Sequence, residues 1–284
     1  VSGPGRPDID RAYLVCASQR SGSTLLVESL RVTGVAGRPA EFFEYLPDTS
    51  LPPQSPDWFV GVHDPAIDAL LAPVRPGRPD TRDAQEWRDD VRGQGVGENG
   101  VWGGKLMWNQ STLLCHRVRD LLGGREPLLR EAVEAVVGVE PLWVYVHRAD
   151  VAGQAVSMWR AVQTQEWTAG ASDRDARAEY HLGAIAHLAE YFVAQQRAWE
   201  GWFTREGIEP LRIEFDELVA DPTSTTARVL DVLGLDPTLA PPPPLRRQGD
   251  ARSREWVARY RDEAAEHGYP VSTAHPDAVP AAES

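Results

Sequence analysis

Apolar positions along this chain fall into two rhythms. Two short continuous runs, Ala12 to Ala17 (AYLVCA) and Leu142 to His147 (LWVYVH), read as buried strands, and Val101 to Met107 and Leu211 to Phe215 as further strands. Between them, apolar residues recur at helical spacing. The pattern predicts helices beginning at Leu25, over 83–93, 110–122 and 127–137, after Asp150, over 173–206, over 222–234 and over 253–266. Asp150 is placed to cap the helix that follows it, and Gly234 to stop the one before it. Residues 39–79 are rich in Pro, Asp and aromatics, with short helical stretches expected at 55–61 and 65–72. The run Pro241 to Pro244 is a stiff spacer. Strands alternating with helices define an α/β protein, with a central parallel sheet flanked by helices. Its packed domain is expected over 12–269, between a flexible amino terminus at 1–11 and a flexible tail at 270–284.

Composition narrows the function. With 29 Lys and Arg against 42 Asp and Glu, the 284 residues carry a formal charge of −13. This excess argues against nucleic acid or an anionic membrane as a partner. No apolar run approaches a membrane span, and Val1 to Arg11 has no signal-peptide core, so the expected location is cytoplasmic. Cys16 and Cys115 are too few for a disulfide framework and lack metal-ligand spacing; no metal is expected. Lys105 is the only lysine among 29 basic residues, either a position where a compact ammonium is needed rather than a guanidinium or one left by chance in an arginine-biased chain.

Three segments can hold an anion. In the first, Ser18 to Thr24 (SQRSGST) follows a buried strand and opens a helix, offering backbone N–H groups, hydroxyls and the Arg20 cation. It is not a Walker A loop, and the same turn can equally be an ordinary strand-to-helix connection. In the second, Arg148 sits at the carboxyl end of a buried strand, where open α/β sheets bind ligands, with Ser157 on the next helix. Arg148 either holds a phosphate or pairs with Asp150. In the third, Leu245 to Arg261 carries Arg246, Arg247, Arg252, Arg254, Arg259 and Arg261 and is +4 within an acidic chain. It is either a clamp for a polyanionic small molecule or a solvated helix end.

The 18–24 turn, the Arg148 and Ser157 pair, and the segment Arg212 to Leu235 together resemble sulfotransferases that use 3′-phosphoadenosine-5′-phosphosulfate (PAPS). Ala12 to Pro47 and Val101 to Gln110 (VWGGKLMWNQ) resemble the bacterial trehalose 2-sulfotransferases more closely still. The similarity runs over about residues 12–269. It implies a P-loop-like sulfotransferase fold, with PAPS as sulfuryl donor and a sugar, trehalose, as acceptor. Arg20, Ser21, Gly22, Ser23 and Thr24 would then cradle the 5′-phosphosulfate, and Arg148 and Ser157 the 3′-phosphate, with Arg247 and Arg252 on the last cofactor loop. Arg148 and Ser157 are nine residues apart, where many cytosolic relatives show eight. The resemblance makes Glu41, in Glu41-Phe42-Phe43, the base, with Glu44 its competitor. Arg20 and Lys105 would stabilise the charge of transfer. Arg38 stands where an acidic residue is expected and bears on the acceptor. Trp58, Trp102, Trp108, Trp159 and Trp167, with Asn109, Gln110 and His147, are acceptor-site candidates. A homodimer is implied. The alternatives are a small-molecule kinase, opposed by the missing Walker A lysine, and a non-catalytic PAPS-binding module.

Overall fold

The computed structural model describes residues 8–43, 56–71, 82–164, 177–243 and 251–273. Four parallel strands form its sheet: β1 (Arg11–Ala17), β2 (Val101–Met107), β3 (Leu142–His147) and β4 (Leu211–Glu214), in the order β2-β1-β3-β4. The helices are α1 (Ser23–Val32), α2 (Pro65–Leu71), α3 (Ala84–Gly95), α4 (Ser111–Val118), α5 (Leu129–Val137), α6 (Val151–Thr164), α7 (Leu182–Glu206), α8 (Phe215–Ala220), α9 (Pro222–Val232) and α10 (Ala251–His267). The α/β class and the parallel sheet read from the hydrophobic runs are both present.

Alternation along each strand divides the core. Tyr13, Val15, Ala17, Val101, Met107, Val144 and Val146 pack on one face with Leu26 and Leu30 of α1 and Val229 and Leu230 of α9. Leu14, Cys16, Trp102, Leu106, Trp143 and Tyr145 fill the other face, against α3, α4, α5 and the Trp199, Trp202 and Phe203 group of α7. A third cluster joins α6, α7 and α10 around Met158, Phe192, Trp256 and Tyr260. Both faces of β1 and β3 are therefore largely buried, which is why these two strands read as unbroken apolar runs.

The chain leaves β1 toward β2 on one side, then crosses to β3 on the other, so the carboxyl end of β1 is the topological switch point. Ligands of open α/β sheets bind at such a point. Asp150 caps α6 as expected, its Oδ1 accepting from Gly153 N–H at 2.9 Å. Gly234 ends α9 with a φ of 66°.

The long helix expected over 173–206 begins only at Leu182, because the ring of His181 accepts the N–H of Ala184 at 3.0 Å and starts the helix there. Residues 173–176 lie outside the described residues. Phe215, read as the end of a strand, instead opens the short α8. The packed structure also runs past residue 269. Ala152 N–H donates to Val271 C=O and Thr273 N–H to Ala149 C=O, both at 3.1 Å.

Candidate active site

The 18–24 turn lies at the switch point and is held from below. Gln154 Nε2 donates to Ser18 Oγ at 2.8 Å and to Gln19 C=O at 2.6 Å, and Trp199 Nε1 donates to Ala17 C=O at 3.0 Å. Arg20 takes a φ of 62°, the one positive φ at a non-glycine among the described residues. Such strain, on the order of 1 kcal/mol, persists only where surroundings enforce it, and it gathers at ligand-holding turns. Gly22 follows at φ 89°. A Cβ there would come within 2.9 Å of the Phe215 ring, so glycine is required twice over. Gly22 caps α1 without a side-chain bond, and the first turn of α1 holds no acidic residue, which leaves its positive end un-neutralised by its own sequence. Ser21 Oγ is buried with no hydrogen-bond partner, a polar atom that a bound anion would satisfy.

Arg148, at the end of β3, comes to the same place. Its Nη1 donates to Arg20 C=O at 3.4 Å and its Nη2 to Asp150 Oδ2 at 3.1 Å, while its buried Nε has no partner. The guanidinium lies 4.1 Å from the centroid of the Phe215 ring, a cation–π platform. The sequence left phosphate binding and pairing with Asp150 as alternatives; the pair exists, and an orphaned donor exists beside it. Gly153 makes the pair possible, since a Cβ on it would collide with both Asp150 and Arg148.

Ser157 stands one helical turn further along α6, and its Oγ accepts from Arg20 Nε at 2.9 Å. Arg20 and Ser157, on elements 137 residues apart in sequence, are thus in direct contact. Burial holds the Arg20 guanidinium below the usual arginine range, and the nearby cations of Arg148 and Arg160 push the same way. Burial likewise lowers Arg148, against the pull of Asp150. Arg160 donates to Ser253 Oγ, which ties α6 to the start of α10, where Arg252 is the neighbouring residue. Arg261 closes on Asp150 Oδ1 at 2.9 Å, whereas Arg259 pairs with Glu263 and lies over Tyr180. Arg246 and Arg247 lie outside the described residues.

Glu41, Lys105 and Thr24 meet at the other side of the turn. The segment carrying Glu41 adds a one-residue parallel bridge to β2 at Lys105, and Lys105 N–H donates to Ala40 C=O at 3.0 Å. Alternation along β2 turns the Lys105 side chain toward α1, where it is 8% exposed. Lys105 Nζ reaches Glu41 Oε2 at 2.6 Å and donates to Thr24 Oγ1 at 3.3 Å. The only lysine of the chain therefore links the candidate base to the candidate phosphate turn. Glu41 Oε1 accepts from Gln110 Nε2 at 2.7 Å. Glu44 lies outside the described residues.

The tryptophans divide sharply. Trp102 is fully buried, its Nε1 donating to Val91 C=O, and so cannot touch a sugar. Trp58 and Trp159 are core residues as well, Trp159 donating to Glu179 C=O. Trp108, half-buried beyond β2, keeps an accessible face; Trp167 lies outside the described residues. Gln110 is turned toward Glu41 rather than outward, and Asn109 accepts from Gln19 Nε2 at 2.8 Å. Sequence reasoning missed Phe215, Gly153 and Arg160. Phe215 carried a usable signal: it follows β4 as Arg148 follows β3, at the ligand-binding edge of the sheet.

Among the described residues no group of His, Cys, Asp or Glu could hold a metal ion, and no helix is long and apolar enough to cross a membrane.

A strained glycine–serine turn at the switch point, backed by arginines and flanked by a lysine–carboxylate pair, suits transfer of an anionic group. Residues 12–263 match the model of the Stf0 sulphotransferases, and the chain belongs to that family; it is a sulfotransferase. It is 53% identical to the trehalose 2-sulfotransferase of Mycolicibacterium smegmatis over 93% of this chain and 99% of that one. With the trehalose 2-sulfotransferase of Mycobacterium tuberculosis the identity is 54%, over 92% and 98%. A solved sulfotransferase from Alicyclobacillus acidocaldarius covers 92% of this chain and 94% of its own at 13% identity and a TM-score of 0.40, too distant to carry an argument. Family membership closes the kinase and non-catalytic alternatives.

Proposed function

We propose that this sulfotransferase moves the sulfuryl group of PAPS to the 2-hydroxyl of trehalose and releases adenosine 3′,5′-bisphosphate (PAP). The observation that carries the reading is the continuous contact from Glu41 through Lys105 to Thr24, which sets a carboxylate beside an anion-binding turn. The choice of acceptor is supported by the two mycobacterial relatives at 53% and 54% identity.

The residues fit the donor. The orphaned Ser21 hydroxyl, the side-chain-free Gly22 and the open end of α1 suit its 5′-phosphosulfate. The orphaned Nε of Arg148 and the Ser157 hydroxyl suit the 3′-phosphate, and the family resemblance adds Arg247 and Arg252 to it. When bound, the donor supplies a sulfuryl group on a phosphate leaving group. Transfer is an in-line displacement governed by positioning and charge. The sulfur–oxygen bond to phosphate breaks as the bond to the sugar oxygen forms, and Glu41 takes the hydroxyl proton. Arg20 and Lys105 neutralise charge on the sulfuryl and bridging oxygens. The homodimer and the cytoplasmic setting belong to the same proposal.

The test is a mass-spectrometric transfer assay with PAPS and trehalose, using glucose, sucrose and no acceptor as controls. Trehalose monosulfate is expected from the wild type, and a loss of about a thousandfold in Glu41→Gln with PAP still bound. No trehalose product with PAP still bound tightly overturns the acceptor; failure to bind PAP overturns the donor as well.

A further inference from the structure

We infer that Gln110 is a positioning residue for the Glu41 carboxylate, holding it in place while Lys105 is engaged with the transferring group. The inference rests on the reading of Glu41 as the base.

Gln110 ends the short turn Trp108–Gln110 that follows β2 and is 5% exposed. Its Oε1 accepts from Met107 N–H at 3.0 Å, and its Nε2 donates to Glu41 Oε1 at 2.7 Å. The backbone contact fixes which way the amide points: with the carbonyl end on an N–H, the NH2 end must face the carboxylate. Turning it away would leave a backbone N–H unpaired and lose the bond to a carboxylate, so the contact is firm. It is also rooted in β2 rather than in a side chain that can move.

Lys105 is held differently. Its Nζ is shared between Glu41 Oε2 at 2.6 Å and Thr24 Oγ1 at 3.3 Å, at the tip of a flexible four-carbon stem. The ammonium occupies Glu41 Oε2 at 2.6 Å, so the pair as it stands is a resting arrangement in which that oxygen is engaged. Negative oxygens at the turn compete with Glu41 for Nζ. Once Nζ moves toward Thr24, Oε2 is freed to accept a proton, and Gln110 remains the side-chain contact that keeps the carboxylate aimed. Otherwise the Glu41 segment is tied to β2 through a single-residue bridge, which fixes the backbone but not the carboxylate. Lys105, from β2, is the charged group in contact with Glu41 among the described residues; Gln110 from the following turn and Thr24 from α1 are neutral.

The experiment compares full-length wild type, Gln110→Leu, Gln110→Glu and Glu41→Gln. It measures PAP affinity, single-turnover sulfation of whichever sugar the wild type accepts, and thermal midpoints without donor across pH. Gln110→Leu is expected to lose about tenfold to a hundredfold in single-turnover rate, the range for a hydrogen bond to a charged group, with PAP affinity within about twofold. Gln110→Glu keeps the acceptor for Met107 N–H but sets a second carboxylate against Glu41. The pair then titrates together with one pKa raised, and the acid limb of its rate profile moves up by about one pH unit or more. A carboxylate with a raised folded-state pKa favours the fold below that pKa and loses that advantage as pH rises through it. The midpoint of Gln110→Glu should therefore fall relative to wild type between about pH 4 and pH 7. A Gln110→Glu protein with wild-type rate, acid limb and midpoint profile, alongside an inactive Glu41→Gln, overturns the role of Gln110 and leaves the base standing. Wild-type turnover in Glu41→Gln overturns both.

Discussion

The two ends of the site are built on opposite electrostatic plans. At the β3 end, Arg20 feels the repulsion of Arg148 and Arg160, and Arg148 keeps a buried N–H without an acceptor. At the β2 end, one lysine and one glutamate neutralise each other at 2.6 Å, and an amide satisfies the second carboxylate oxygen. Gathered cations with an unspent donor are stabilised by an arriving anion. A closed ion pair must instead be opened before either member can act. On the proposed reading the contrast separates binding from chemistry: the arginine end would supply affinity for the donor, and the lysine–glutamate end would become competent when negative charge arrives at the turn between them.

The strongest way to break this division is at Arg148. Arg148→Met keeps the bulk over Phe215 but removes the guanidinium. PAP affinity should fall about a hundredfold, the scale for truncating one partner of a buried charge pair, while 5′-AMP affinity stays within about twofold. Calorimetric titration with the two nucleotides reads the difference. Equal losses for both would mean that Arg148 supports the turn, through its bond to Arg20 C=O, rather than a 3′-phosphate.

A smaller effect sharpens how the arginine is held. Phe215 faces the Arg148 guanidinium at 4.1 Å and comes within contact of Gly22. Phe215→Leu retains an apolar contact and loses the ring face, worth about 1 kcal/mol at a partly desolvated cation. PAP affinity should drop about fivefold, with the turnover rate at saturating donor unchanged. If 5′-AMP binding weakens by the same factor, the ring works through the Gly22 turn and not through Arg148.

These residues also mark where the sequence stopped being readable. β1 and β3 were legible because burial on both faces leaves apolar runs, and β2, interrupted by Gly103 and Gly104, still ends at Met107 where expected. Helix ends were less legible. Apolar residues before Leu182 continue the periodic pattern, but Ala178 and Tyr180 pack on the third core cluster from irregular backbone, and the His181 ring starts the helix. At the site, residue type and strand position pointed to the turn and to Arg148, since ligand contacts follow the carboxyl ends of parallel strands. The contact between Glu41 and Lys105 depends on a sheet register that local pattern does not encode; family resemblance gave each residue a role, and only the structure brings them together. Gln110 was visible as a polar residue, but only the Met107 N–H decides which way its amide turns. Gly153 had no signal at all, because its reason lies in two side chains packed over the first turn of α6.

The smallest expected effect tests the carboxylate paired directly with Arg148. Asp150 caps α6, pairs with Arg148 and is reached by Arg261. Burial alone would raise its pKa, but the Gly153 N–H and the two arginines outweigh burial and hold the carboxyl below its usual range. A carboxylate depressed in the folded state contributes stability above its unfolded pKa, about 3.9, and that contribution is lost as pH falls through the folded value. Asp150→Ala should therefore cost about 1 kcal/mol at neutral pH, chiefly as a lost helix cap. Denaturant titrations should show the gap to wild type narrowing below about pH 4, as wild type loses what the variant never had. Saturating PAP should narrow the gap at neutral pH too, because an anion at Arg148 replaces the charge that Asp150 supplied. A gap as wide in acid as at neutrality would assign Asp150 to packing, and its charge would then not be what readies Arg148 to exchange one anion for another.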